Sequence, residues 1–95
     1  MKIIFLAKFK PGTSEAAAED AVRVAAKSLA AGPFTSYEHG RGLGLAHGGG
    51  AHDADWGFII DIDPANVDRW RESDAHEAMG VALRPICSEG MSLEY

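Results

Sequence analysis

Trp56-Gly57-Phe58-Ile59-Ile60-Asp61-Ile62-Asp63-Pro64 decides the fold. From Trp56 to Ile62 the run is rich in aromatic and β-branched residues and alternates with a period of two. Trp56, Phe58, Ile60 and Ile62 share one face; Gly57, Ile59 and Asp61 share the other. The strand then meets Asp63-Pro64. An aspartate accepts from the first free amides of a helix, and proline at the first helical position has no N–H to waste. A strand that hands over directly to a helix implies further strands and helices of the same sheet on either side.

Downstream, a short helix contains Val67 and Trp70. A second follows, with Asp74-x-x-Glu77 as its capping box and Ala75, Met79, Ala82 and Leu83 as its apolar stripe. Pro85 stops it, and Met91 to Tyr95 forms a last strand. Upstream, Gly40 to Asp55 is glycine-rich, lacks periodicity and reads as a mobile loop. Phe34 to His39 is a short strand, with Tyr37 and His39 on one face. A long helix runs from a cap at Thr13 or Ser14 to about Ala31, with its stripe on Ala18, Val22, Ala25 and Leu29. Glu15, Glu19, Arg23 and Lys27 line another face at i, i+4, and Gly32-Pro33 ends the helix. Ile3 to Phe9 is apolar on both faces and ends at the turn signal Lys10-Pro11-Gly12.

The order is β-α-β-β-α-α-β. It predicts an α+β, ferredoxin-like domain: a four-stranded, mainly antiparallel sheet with its helices on one face. The other face carries Ile4, Leu6, Ile59, Met91, Leu93 and Tyr95. An open apolar face predicts a partner, and two such sheets packed together make a dimeric α+β barrel.

With 95 residues the chain is long enough for one domain, residues 1–95, whose own core is modest. The net charge of −5 and the nine scattered Lys and Arg argue against nucleic acid. No apolar run approaches the ~20 residues that span a bilayer, and the N-terminal run is too short for a signal peptide. A single cysteine, Cys87, excludes an intrachain disulfide and a zinc–cysteine cluster; it reads as structural, and a cytoplasmic location is expected. His47, His52, Asp53 and Asp55 lie close together, but their spacing matches no established metal site, and no metal is expected. Gly40-x-Gly42-x-Gly44 lacks the strand and helix of a dinucleotide loop, and His-Gly-Gly-Gly has no Gly-x-Ser-x-Gly beside it.

The candidate site centres on His76, in the first turn of its helix. The helix dipole disfavours a proton there and keeps the imidazole neutral, the form a general base needs. Strand alternation puts Ser92 and Glu94 opposite the face of Met91, Leu93 and Tyr95, so Glu94 faces the helices, where it can orient His76. Ile3, Phe5, Phe58, Ile60, Trp70, Met79 and Leu83, with the small Ala7 leaving room, would line an apolar pocket between sheet and helices. Trp56 and Phe9 can add to its wall.

Several of these stretches resemble the stress-responsive α/β-barrel (Dabb) family. Ile4-Phe5-Leu6-Ala7-Lys8-Phe9-Lys10 is similar to the family's first strand, and the third strand with Asp63-Pro64 to its third strand and short helix. Ser73-Asp74-Ala75-His76-Glu77-Ala78-Met79 resembles its His-Pro-Ala-His-x-x-Phe segment, and Leu93-Glu94-Tyr95 its closing strand. The resemblance implies a dimeric α+β barrel. Some members look like orphan stress proteins; others are polyketide cyclases that perform an aldol condensation without metal or cofactor. In those the histidine matching His76 is the base and the acid matching Glu94 orients it. Here Ser73 and Asp74 replace the first His-Pro, Trp70 stands where a cyclase has a tyrosine, and Ile3 and Phe58 stand where it has further histidines.

The leading expectation is therefore a homodimeric, cofactor-free enzyme of polyketide-cyclase-like lyase or isomerase type. Its ligand is a small apolar or aromatic molecule, and it has no nucleic-acid or membrane partner. The alternatives are a non-catalytic, stress-associated ligand-binding dimer and a cofactor-independent monooxygenase on a similar barrel.

Overall fold

The computed structural model describes residues 1–43 and 54–95. The elements run β1 (Lys2–Phe9), α1 (Glu15–Ala30), β2 (Phe34–Arg41), β3 (Trp56–Ile62), a 3-10 turn at Pro64–Asn66, α2 (Val67–Arg71), α3 (Asp74–Leu83) and β4 (Cys87–Glu94). The sheet has four strands in the order β2-β3-β1-β4, and all three pairings are antiparallel. This is the expected ferredoxin-like α+β topology.

Local chemistry accounts for the element ends. Lys10 to Thr13 is a tight turn closed by the Thr13 amide on the Lys10 carbonyl (3.1 Å), with Gly12 at φ +82°, a backbone state that glycine alone adopts cheaply. The Ser14 hydroxyl accepts from the Ala17 amide (3.1 Å) and starts α1. The other end differs from expectation. Gly32 is not left-handed; α1 tightens through Ala31, and the glycine is needed because the Phe34 ring occupies the space of any side chain there. On the solvent face Arg23 pairs with Asp20 rather than Glu19, while Glu15 reaches across to Arg41 at 2.8 Å. At the next helix start Asp63 accepts from the Ala65 amide (2.9 Å), with Pro64 behind it.

Three boundaries move. Strand β2 continues through Gly40 and Arg41, which pair with Gly57 and Trp56, because β3 offers partners along its whole length. The Gly42 amide donates to the Asp55 carbonyl (2.8 Å), and residues 44–53 of the expected Gly40–Asp55 loop, including His47, His52 and Asp53, lie outside the described residues. Strand β4 begins at Cys87 instead of Met91. Glu89 and Gly90, poor strand formers, are drawn into the ladder by Lys8 and Ala7 of β1, across a register shift between Lys8 and Phe9. Finally, Ser73 rather than Asp74 caps α3.

The core lies between the sheet and the helices. Ile3 and Ala7 of β1, the Trp56–Phe58–Ile60–Ile62 face of β3, Leu29 of α1 and Met79 and Leu83 of α3 are buried together. The opposite face of the sheet is open. Register brings Ile4 beside Leu93 and Leu6 beside Met91, while Ile59 opposes Ile4 from the other side. Met91 is 71% exposed and Leu93 58%. No helix among the described residues is long and apolar enough to cross a membrane.

Candidate functional site

Two short helices meeting at an angle create the site. The Ser73 hydroxyl donates to the Trp70 carbonyl (2.6 Å), at the end of α2, and accepts from the His76 amide (3.1 Å), in the first turn of α3. One side chain thereby fixes the junction and the position of His76. Ser73, which stands where the resembled family has a histidine, is the group that sets His76 in place.

The His76 ring is held edge-on to Trp70, with centroids 5.3 Å apart. Trp70 is buried and meets Phe34 edge-on in turn at 4.8 Å, so the surface behind the imidazole is anchored in the core. Among the described residues neither ring nitrogen of His76 makes a hydrogen bond. Partial burial lowers its pKa, the Arg71 guanidinium lowers it further, Glu77 opposes them and Arg84 adds to the lowering. The imidazole is thus biased to the neutral state.

The ring looks onto a cavity of about 430 Å³ between α3 and the helix-facing side of the sheet, within the usual range of small-molecule sites. Its floor is Ile3, Phe5 and Phe58, with Phe5 stacked on Phe58 at 5.4 Å; its far wall is Met79 and Leu83. The hollow exists because the facing strand carries little bulk. On β4 the residues opposite Ala7, Phe5 and Ile3 are Gly90, Ser92 and Glu94, and a side chain at Gly90 would press on the Phe5 ring.

Of the expected site residues, His76, Ile3, Phe5, Phe58, Trp70, Met79, Leu83 and Glu94 all line this cavity. Ala7 and Ile60 do not; both are fully buried in the core beneath it, under neighbouring side chains. Glu94 faces the helices, but instead of hydrogen-bonding His76 it accepts from the Arg71 guanidinium. Tyr37 and His39 are exposed on β2 and take no part in the cavity. Cys87 lies at its edge, where burial and then Asp55 push its thiol pKa up, so it is no thiolate.

Sequence reasoning missed Arg71, Gly80 and Arg84. The last two share the His76 face at i+4 and i+8, a spacing that was readable. Arg84 folds back over Gly80, where an added Cβ would lie 2.7 Å from its guanidinium nitrogen. Its other contact, with Glu77, is long at 3.5 Å. Arg71 belongs to a different helix, and no periodicity connects it to His76.

No family model matches the sequence, and no curated protein matches it. Solved structures do match in shape. A Dabb-family protein from Mesorhizobium loti superposes with a TM-score of 0.74 at 20% identity, over 99% of this chain and 92% of that one. The chain has the same ferredoxin-like fold as that protein. A dimeric ferredoxin-like protein of unknown function from Thermobifida fusca gives a TM-score of 0.83 at 21% identity, covering 99% and 87% of the two chains. A hydroxynitrile lyase from Passiflora edulis gives 0.79 at 16% identity, covering 99% and 89%. At these identities the likeness concerns the ferredoxin-like fold; chemistry has to come from the residues of the cavity.

Proposed function

We propose that this cavity binds a small apolar or aromatic molecule with an enolisable carbonyl, and that His76 removes a proton from the carbon beside that carbonyl. The electron pair of the broken C–H bond passes into the enolate, and the proton passes to the imidazole. Aldol-type ring closure or isomerisation then follows, and the imidazolium returns the proton to the product. The observation that carries this reading is the unbonded imidazole on the cavity wall, with Trp70 behind it and its proton affinity lowered. Sharing a fold with a hydroxynitrile lyase supports small-molecule chemistry at such a site.

The same reading includes a homodimer joined through the open sheet face. Exposed Leu6, Ile59, Met91 and Leu93 support it, as do the dimeric structural neighbours. Glu94, bonded to Arg71, acts by holding that guanidinium, and so reaches His76 only indirectly.

Proton abstraction can be tested without the natural substrate. In D2O, the protein should accelerate exchange of the α-protons of 2-tetralone, followed by proton NMR. His76→Gln should lose about 10²-fold of that acceleration or more with an unchanged circular dichroism spectrum. Full exchange activity in His76→Gln would overturn the base and leave a ligand-binding protein.

A further inference from the structure

Four charged side chains line the cavity, Arg71, Arg84, Glu89 and Glu94, and both cations act on His76. Arg71, from α2, and Arg84, the residue that caps the C-terminal end of α3, both line the cavity with His76. We propose that the ligand of this cavity is an anionic amphiphile, an apolar or aromatic body carrying one carboxylate, and that Arg71 binds the carboxylate. This rests on the reading of the cavity as the ligand site and adds to it the charge of the ligand.

The geometry favours Arg71 as the anchor. It lines the cavity, and its side chain is 47% exposed. Glu94 occupies one terminal nitrogen, Nη2. A guanidinium presents five N–H donors in a planar fork, so donors remain for a second carboxylate, and Glu94 fixes the direction of the fork. Trp70, adjacent in sequence and buried, restricts the same turn. Arg84 is the second cation, laid along the helix because Gly80 has no side chain to lift it away.

Two acids, Glu89 and Glu94, line the cavity with the two arginines, so the anchor has to be a guanidinium with donors to spare. Glu94 is bonded to Arg71. Glu77 is on the exposed side of α3 and holds Arg84 only at 3.5 Å. Glu89 shares the parity of Met91 and Leu93 on β4 yet also lines the cavity; the charges that act on His76 are those of Arg71, Glu77 and Arg84. The proposed chemistry needs the same sign of ligand. When His76 takes a proton it becomes a cation beside two others, and a carboxylate on the ligand offsets that crowding.

The test compares 2-naphthoate with 2-naphthamide, equal in shape and different in charge, by isothermal titration calorimetry on the full chain at pH 7. Naphthoate is expected to bind about 10-fold more tightly or better, the worth of one charge-assisted hydrogen-bonded contact. Arg71→Gln should abolish that preference while leaving naphthamide affinity within about twofold, which also shows that the pocket is intact; Arg71→Lys should keep part of it. Equal binding of the two probes by the parent, no binding of either, or a preference that survives Arg71→Gln would overturn the proposal. Should Arg71→Gln not fold, the parent comparison still decides. The outcome is separable from that for the base: equal binding with exchange lost in His76→Gln removes the anion and keeps the base. A clear preference with exchange intact in His76→Gln does the reverse.

Discussion

Ser73→Ala is the most informative single change to the scaffold of the site. The hydroxyl accepts from the His76 amide at 3.1 Å and donates to the Trp70 carbonyl at 2.6 Å. Losing an N-terminal cap costs about 1 kcal/mol. The Trp70 carbonyl keeps the Ser73 backbone amide at 3.1 Å, so the second loss adds only about 0.5 kcal/mol. The sum, about 1.5 kcal/mol, lowers the melting temperature of a domain of this size by roughly 6–12 °C. Urea melts of parent and variant at one protein concentration would measure it, a precaution that matters because any dimer links stability to concentration. Ser73→Asp, which restores an acceptor at the cap, should recover most of the loss. A Ser73→Ala variant within about 0.3 kcal/mol of the parent, below the smallest usual cap effect, would refute the idea that this hydroxyl builds the junction.

Met91→Asp and Leu6→Asp each put a charge on the open sheet face, and sedimentation should show the parent as a dimer and the variants shifted to monomer; a parent that sediments as a monomer at micromolar concentration contradicts the proposed interface. The lowered pKa of His76 also gives a signed pH effect. The folded state resists protonation that the unfolded chain accepts at its ordinary value, about 6.5, so stability is complete above that pH and is lost as pH falls through it toward the folded value. His76→Gln should flatten that part of the stability curve, and an unchanged slope just below about pH 6.5 would count against the assignment.

The strand from Trp56 to Ile62 and the stripe of α1 were legible because their periods are long and their faces differ. The start of β4 was not: Ser88, Glu89 and Gly90 have no strand preference, and only their pairing with β1 makes them one. The same holds for Gly40 and Arg41 at the end of β2. For the site, the apolar floor followed from strand alternation, since Ile3, Phe5 and Phe58 occupy inward positions. Ala7 and Ile60 share that parity, but parity cannot distinguish the cavity floor from the layer beneath it. The Arg71–Glu94 contact was hidden because it joins α2 to the far edge of the sheet, where two residues 23 positions apart meet only after the fold closes.

The most direct test of the central claim is the titration of the His76 ring itself, by proton–nitrogen NMR of labelled protein, assigned against His76→Gln. The account predicts an imidazole that is neutral at pH 7 with a midpoint below the ordinary ~6.5, and a midpoint that rises when 2-naphthoate is bound, because an anion beside the ring favours the proton. A midpoint at or above the ordinary value in the free protein, unmoved by the ligand, would contradict it.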